Sequence, residues 1–126
     1  MKYAGILYKY NGLYLLCRRQ EGVTLGGHWS VPGGAVESGE TTTEAAIREF
    51  FEETQISLNI FKLELIGKWE AKNPLGDGFF YLYRYEGADR SVPILDNEHT
   101  DWRYVENKKI PSPIEDTLRT LIEEGI

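Results

Sequence analysis

The sequence contains a single cysteine in 126 residues, so the chain cannot form a disulfide within itself. A lone thiol is typical of a reducing compartment, and we expect a cytoplasmic protein. Cys17 lies in the apolar run of residues 13–17, which predicts a buried, inert thiol rather than a nucleophile. The sequence also lacks the ~18 consecutive apolar residues of a membrane-spanning helix and any signal-peptide pattern, so no membrane partner is expected.

Positive charge is also scarce, since 14 Lys and Arg face 20 Asp and Glu and leave a net charge of −6. A surface that coats nucleic acid needs clustered Lys and Arg, so no nucleic-acid partner is favoured. A small nucleotide substrate stays compatible with this charge, because a bound metal can supply positive charge locally. The length and ordinary composition predict one domain over residues 1–126, without repeats or linkers.

The most informative stretch is residues 33–56, a Gly-rich turn followed by a helix with an excess of carboxylates. Thr41 and Glu44 have the spacing of a capping box, which predicts that the helix begins at about Thr42. The helical period of ~100° per residue places three apolar side chains on one side: Ile47, Phe50 and Phe51. It places three carboxylates on the roughly opposite side: Glu49, Glu52 and Glu53.

A solvated helix face with ion pairs is one interpretation, because Arg48 can pair with Glu44 and Glu52. It does not explain the three glutamates, since like-charge neighbours one turn apart repel by about 0.2–0.5 kcal/mol each. A divalent cation would reverse that cost, because Mg²⁺ prefers carboxylates, waters and substrate phosphates as ligands. Periodicity and charge alone leave both interpretations open.

The spacing within this stretch is more specific. It contains, in order, Gly34, Glu40, Arg48, Glu49, Glu52, Glu53 and Ile56. These residues follow the pattern Gly-x5-Glu-x7-Arg-Glu-U-x-Glu-Glu-x-Gly-U, which resembles the Nudix box of the MutT-like Nudix hydrolases. Six fixed identities would match by chance with a probability on the order of 10⁻⁷. In two departures, Phe50 replaces an aliphatic residue and Gln55 replaces the C-cap glycine, where a left-handed backbone would cost about 1–2 kcal/mol.

The resemblance implies an α/β/α sandwich with a mixed central sheet and Mg²⁺-dependent pyrophosphohydrolase activity, with Mn²⁺ as a substitute cation. It implies that the box supplies the metal site, formed by Glu49, Glu52, Glu53 and Gly34. Arg48 would orient the glutamates, and Glu40 coordinates metal in some family members only. One of the glutamates or Glu98 would accept the proton from water, with Asp101 as a second choice to Glu98.

Candidate substrate-binding residues lie around this box. Arg19, or its neighbour Arg18, would hold phosphates, although a solvated strand end explains a basic residue there equally well. Glycines at positions 33 and 34 allow backbone to approach a ligand. Aromatic residues that would stack on a base, or else pack in the core, are Tyr3, Trp29, Phe79 and Tyr81. His28 is a candidate base or ligand, although a lone loop histidine usually has neither role.

The rest of the chain predicts a layered α/β protein. Strands are predicted over residues 2–9, 13–19, 57–71, 79–85 and 100–105, with a final amphipathic helix over 114–124. An Asn-Gly turn joins the first two strands, and the remaining connections are loops at 21–28, 73–78 and 87–97. On the strand over 79–85, alternation predicts that Phe79, Tyr81, Tyr83 and Tyr85 share one face, with Phe80 and Leu82 on the other.

The favoured activity is hydrolysis of a nucleoside diphosphate linked to another group, and in particular of a nucleoside triphosphate to monophosphate and pyrophosphate. Nucleotide sugars such as ADP-ribose, dinucleoside polyphosphates and RNA 5′ ends are alternative substrates. A non-catalytic nucleotide-binding domain is a further alternative, disfavoured because all box carboxylates are present. A structural or protein-interaction domain has no feature in its favour. The oligomeric state is left open, a homodimer included.

Overall fold

The computed structural model describes residues 1–73 and 76–126, whose strands form one mixed sheet between two helices. The elements follow in the order β1 (Lys2–Tyr10), β2 (Leu13–Arg19), β3 (Trp29–Ser30), β4 (Gly33–Ala35), α1 (Thr42–Thr54), β5 (Glu64–Asn73), β6 (Gly76–Glu86), β7 (His99–Val105) and α2 (Asp116–Glu123). In this described part of the chain, no helix is long and apolar enough to cross a membrane.

The sheet is organised around β1 and β2, which separate after their Asn-Gly turn. The strand order is β3-β2-β1-β6-β5, with β4 paired to β1 and β7 paired to β2. Near the turn Lys9 pairs with Tyr14, whereas at the other end Ala4 pairs with Gly34 of β4 and Cys17 pairs with Ser30 of β3. The parallel pair β1–β6 within antiparallel neighbours confirms the predicted mixed sheet. The split between β1 and β2 admits the Gly33–Gly34 segment beneath α1.

The core consists of two layers, one on each face of the sheet. The α1-face cluster comprises Ala4, Ile6, Tyr8, Leu15, Ala45, Ala46, Phe50, Tyr83, Tyr85 and Tyr104. The α2-face cluster comprises Leu7, Tyr14, Leu16, Trp29, Val31, Leu82, Val105, Ile114, Leu118 and Ile122. Alternate residues of each strand therefore serve opposite layers, which confirms the α/β/α sandwich. On β6, Tyr81, Tyr83 and Tyr85 pack with the first layer, and Phe80 and Leu82 with the second, as predicted.

Helix α1 begins at Thr42, as predicted, with both hydrogen bonds of the capping box between Thr41 and Glu44 in place. Gln55 has the left-handed conformation expected of the missing C-cap glycine, with φ of 62°. The predicted apolar face is wrong for Phe51, which is 42% exposed. The helix instead packs through Ala45, Ala46 and Phe50, and these small alanines bring Phe50 against the ring of Tyr8.

Three predicted boundaries differ from the structure. The strand predicted over 57–71 begins only at Glu64, because the Asn59 side chain caps a 3₁₀ turn over Ile60–Lys62. The last helix begins at Asp116 rather than 114, because the Glu115 side chain accepts hydrogen bonds from the amides of Thr117 and Leu118. Strands extend into the turn predicted at 73–78, and residues 74–75 lie outside the described residues.

Candidate active site

The three box glutamates differ sharply in burial, although the sequence grouped them on one helix face. The side chain of Glu52 is 54% exposed, that of Glu49 is 17% exposed and that of Glu53 is 3% exposed. Glu53 points towards the sheet, next to the split between β1 and β2, and Glu52 points towards solvent. The box therefore presents one buried, one half-buried and one open carboxylate.

Arg48 joins the carboxylates of the box into one network. Its Nε donates to Glu40 Oε2 at 2.6 Å, and Nη1 donates to Glu49 Oε1 at 2.8 Å and to Glu52 Oε2 at 3.3 Å. Nη2 donates to the backbone carbonyl of Ala35 at 3.0 Å. The hydrogen bond from Arg48 lowers the pKa of Glu40 to about 2, and these acceptors raise the pKa of Arg48 in turn. The guanidinium thus holds Glu49 and Glu52 in fixed positions.

Of the two ion pairs that the solvated-face interpretation allowed, Arg48 forms the one with Glu52 and not the one with Glu44. The Glu44 carboxylate is already occupied at the start of the helix, where it accepts a hydrogen bond from the Thr41 amide at 2.9 Å. This bond completes the capping box and satisfies a backbone donor that would otherwise be unpaired. Arg48 is therefore free to turn towards Glu40.

Two glycines of β4 let the backbone approach both the helix and β1. A Cβ added to Gly34 would lie 2.6 Å from the carboxyl carbon of Glu49. A Cβ added to Gly33 would lie 2.5 Å from the carbonyl oxygen of Ala4. A side chain at Gly33 would therefore push against the backbone of β1, and one at Gly34 would displace the Glu49 carboxylate.

Glu53 is the electrostatically unusual group of the site. Its pKa is raised to about 9, chiefly by burial and then by the neighbouring charges of Glu49 and Asp96, while the nearby Gly33 backbone opposes the shift. Within the described ranges, neither carboxylate oxygen of Glu53 has a hydrogen-bond partner. Burial also raises the pKa of Glu49, against the opposing effect of Arg48. Buried, unpaired carboxylate oxygens beside a second carboxylate are a donor set that fits a divalent cation.

Two residues at this site were missed from the sequence. His99, the first residue of β7, places Nε2 at 3.5 Å from Glu53 Oε1 and Nδ1 at 2.8 Å from Asp96 Oδ1. Ligand atoms of Glu53, Asp96 and His99 all lie within 4.8 Å of one another, close enough to share a metal ion. The sequence analysis named the neighbouring Glu98 and Asp101, but it began the strand at residue 100 and assigned His99 no role.

The predicted Glu98 lies between these two residues and is exposed. Its charge contributes to the raised pKa of Glu53, and its backbone carbonyl accepts a hydrogen bond from Gln20 at 2.8 Å. Asp101 is also exposed, and its carboxylate accepts from the Trp102 amide at 2.8 Å. Of the two carboxylates, that of Glu98 is the one whose charge raises the pKa of Glu53.

The basic residues at the end of β2 contact the loop that follows them. Arg19 Nε donates to the carbonyl of Thr24, and Arg18 Nε donates to the carbonyl of Gly27 at 3.3 Å. Arg18 is exposed and Arg19 is half-buried. Each side chain therefore contacts the loop and also remains accessible to solvent. A role for Arg19 in holding phosphates stays a prediction.

The aromatic candidates lie on opposite faces of the sheet. Trp29 is 5% exposed in the α2-face cluster, with the Arg103 guanidinium 4.7 Å from its ring centre. Phe79 and Tyr81 lie on the other face, where the Lys68 ammonium is 4.2 Å and 5.4 Å from their ring centres. These residues cannot all contact one base, and their stacking roles stay predictions.

Two cavities lie near the sheet rather than among the glutamates. One of about 330 Å³ lies on the α2 face, with Ser30, Val31, Trp69, Phe80 and Thr117 among its lining residues. Another of about 530 Å³ lies at the sheet edge, lined by Met1, Glu70, Ala71, Asp77, Gly78 and Phe79. Of the residues that line the first cavity, Ser30 and Val31 are separated from Gly33 of β4 by Pro32 alone.

Comparisons with known proteins agree with this geometry. A family model described as NUDIX domain matches residues 2–124. An RNA pyrophosphohydrolase from Erythrobacter litoralis is 30% identical over 118 residues, which cover 79% of this chain and 71% of the relative. The structure of a MutT NUDIX hydrolase from Burkholderia pseudomallei has a TM-score of 0.83 at 23% identity, covering 97% of this chain and 95% of that one.

A further solved structure is the NUDIX domain of Shewanella oneidensis NrtR complexed with ADP ribose. It has a TM-score of 0.79 at 16% identity and covers 98% of this chain and 84% of that one. At these identities the two structures support the fold alone, whereas the family model spans nearly the whole chain. The chain therefore belongs to the NUDIX family, as a pyrophosphohydrolase.

Proposed function

We propose that this protein hydrolyses a nucleoside 5′-triphosphate to the monophosphate and pyrophosphate, and that Mg²⁺ is its physiological cation. The observation that carries the proposal is the buried Glu53 carboxylate, unpaired among the described residues, beside Glu49 and Glu52. When bound there, Mg²⁺ supplies positive charge that neutralises the phosphates and acidifies the attacking water. Glu49, Glu52 and Glu53 hold the cation, with backbone at Gly34 completing the wall of the site.

The other residues of the box act on these ligands. Arg48 bonds Glu49 and Glu52 at once, which fixes their spacing and spares them mutual repulsion while no cation is bound. Glu98 is exposed beside the site and accepts the proton from the attacking water, since its carboxylate is not enclosed by the arginine network. Glu52, the most open box carboxylate, is the alternative proton acceptor.

For the nucleoside we propose the cavity of about 330 Å³ on the α2 face. A base needs flat apolar walls and a few polar groups, and this cavity offers Trp69 and Phe80 together with the hydroxyls of Ser30 and Thr117. Along the chain, Ser30 and Val31 of the cavity lining precede Gly34, which lies against the Glu49 carboxylate. This cavity lies on the face of the sheet away from α1.

The activity is tested by measuring pyrophosphate and phosphate release from a panel of nucleotides with Mg²⁺, with Mn²⁺ and with excess chelator. The Glu53→Gln variant should lose at least about 100-fold in kcat, because a neutral amide cannot replace the buried anionic ligand. Glu44→Gln on the same helix is the matched control and should retain activity, since Gln also completes a capping box. Full turnover in chelator, or near wild-type activity of Glu53→Gln, would refute the proposal.

RNA 5′ ends are a second candidate substrate, favoured by the 30% identical relative that is named an RNA pyrophosphohydrolase. The net charge of −6 speaks against a long RNA contact, because each phosphate contact needs a basic partner. Hydrolysis of a 5′-triphosphorylated oligonucleotide should be compared with that of the free nucleoside triphosphate of the same base. A kcat/KM at least about tenfold higher for the oligonucleotide would replace the first candidate with the second.

A further inference from the structure

Three buried polar atoms meet at the base of the site without hydrogen-bond partners among the residues that the structure describes: Glu53 Oε1, Glu53 Oε2 and His99 Nε2. The His99 side chain is 0% exposed, and its Nε2 points at Glu53 Oε1 from 3.5 Å. A buried polar atom without a partner costs about 1–3 kcal/mol, and such atoms are rare in native structures. A group of them facing one another therefore indicates a missing common partner.

Asp96 determines which face of the imidazole meets Glu53. His99 Nδ1 lies 2.8 Å from Asp96 Oδ1, and because a carboxylate only accepts hydrogen bonds, Nδ1 carries the proton. In a neutral imidazole the other nitrogen, Nε2, then presents a lone pair. When Glu53 is ionised, its carboxylate and the lone pair of Nε2 repel each other at this distance unless a proton or a cation lies between them.

We propose that His99 Nε2 is a nitrogen ligand of the divalent cation held by Glu53, and that Asp96 positions the imidazole through Nδ1. This inference rests on the proposed function, because it concerns the same metal centre. Two ligand atoms about 2.1 Å from one cation lie ~3.0–3.6 Å apart for ligand angles between about 90° and 120°. The 3.5 Å between Nε2 and Oε1 falls within that range before any rearrangement.

The arrangement has the chemistry of a carboxylate–histidine–metal chain, in which the second carboxylate fixes the tautomer and the orientation of the ring. It also affects which cation binds best. Carboxylates suit Mg²⁺ and Mn²⁺ alike, whereas imidazole nitrogen favours transition metals over Mg²⁺. A centre that includes His99 therefore binds Mn²⁺ more tightly than Mg²⁺. Removal of the imidazole reduces the difference between the two affinities.

The test uses the full chain with Mn²⁺ alone, measured by pulsed electron paramagnetic resonance. The wild type should show a coupling from imidazole nitrogen to bound Mn²⁺, and this coupling should change when histidine is labelled with ¹⁵N. His99→Gln should lose the coupling and at least about tenfold in Mn²⁺ affinity, with a smaller loss for Mg²⁺. The chain has two histidines, so His28→Gln is the matched control and should keep the coupling.

Asp96→Asn provides a second variant that keeps the imidazole in place should His99→Gln fail to fold. It should retain the nitrogen coupling and weaken Mn²⁺ binding by about 10- to 100-fold. A wild-type protein that is saturated with Mn²⁺ but shows no imidazole coupling would overturn the proposal and leave the metal-dependent hydrolase intact. A coupling that persists in His99→Gln would have the same consequence. Failure of the wild type to bind Mn²⁺ at all would overturn the proposed function together with it.

Discussion

Replacement of Glu53 by Gln should change how the stability of the metal-free protein depends on pH. The folded-state pKa of Glu53 is raised from 4.5 to about 9, chiefly by burial, so the folded chain holds this proton more tightly than the unfolded chain does. A group of this kind stabilises the fold fully below the unfolded pKa, and its contribution is lost as the pH rises towards the folded pKa. The wild type should therefore become less stable from about pH 5 to about pH 9.

The size of this change in stability follows from the one proton that the Glu53 carboxyl holds in the folded chain. Each pH unit within that window removes about 1.4 kcal/mol per proton, so two units remove up to ~3 kcal/mol. That is a large part of the ~5–15 kcal/mol by which an ordinary domain is stable. Glu49, whose pKa is also raised by burial, adds to the same trend. The neutral Gln side chain does not titrate, and its amide can donate to the lone pair of His99 Nε2.

The measurement is guanidinium unfolding in excess chelator at about pH 5.5, 6.5 and 7.5, within the window set by linkage. The free energy of unfolding of Glu53→Gln should vary less with pH than that of the wild type, and should exceed it at the highest pH. Glu52→Gln is the matched control and should keep the wild-type pH dependence, because the Glu52 side chain is 54% exposed. Equal pH slopes for the wild type and Glu53→Gln would refute the burial argument.

Three further predictions concern the geometry of the box helix. Gly34→Ala should lower kcat by about 100-fold in the hydrolysis assay, because its Cβ would lie 2.6 Å from the Glu49 carboxyl carbon; an unchanged rate would mean that Glu49 moves away freely. Phe50→Ala should cost ~3–5 kcal/mol of unfolding free energy and Phe51→Ala less than ~1, and equal losses would contradict their different burial. Gln55→Gly should raise the unfolding free energy by about 1 kcal/mol, since φ is 62° there; a lower melting temperature would contradict this.

The box helix was predictable because the interactions that define it are local. The capping box joins Thr41 to Glu44, only three positions later in the sequence, and the helical period alone groups the acidic side chains. The left-handed cap at Gln55 could also be predicted, since the chain ends its helix where a glycine is usual. The alternation on β6 was equally predictable, because successive side chains of any strand point to opposite faces.

Tertiary packing decided which glutamate is buried. The helical period places Glu49, Glu52 and Glu53 on one side, but it does not say how the helix lies on the sheet. Ala45 and Ala46 allow close contact on one flank, and this turns Glu53 inward and leaves Phe51 at the surface. Burial then raises the pKa of Glu53. The extent of burial depends on how the helix packs on the sheet, which the helical period does not determine.

The part of the site formed by His99 and Asp96 was decided by strand pairing. These residues reach Glu53 because β7 pairs with β2, where Arg19 lies opposite His99, and because β1 and β2 separate below α1. Pairing between distant strands depends on the whole sheet, whereas capping and periodicity depend on neighbours along the chain. The sequence by itself therefore determined the helix and its carboxylates, and only the assembled sheet brought the buried histidine to them.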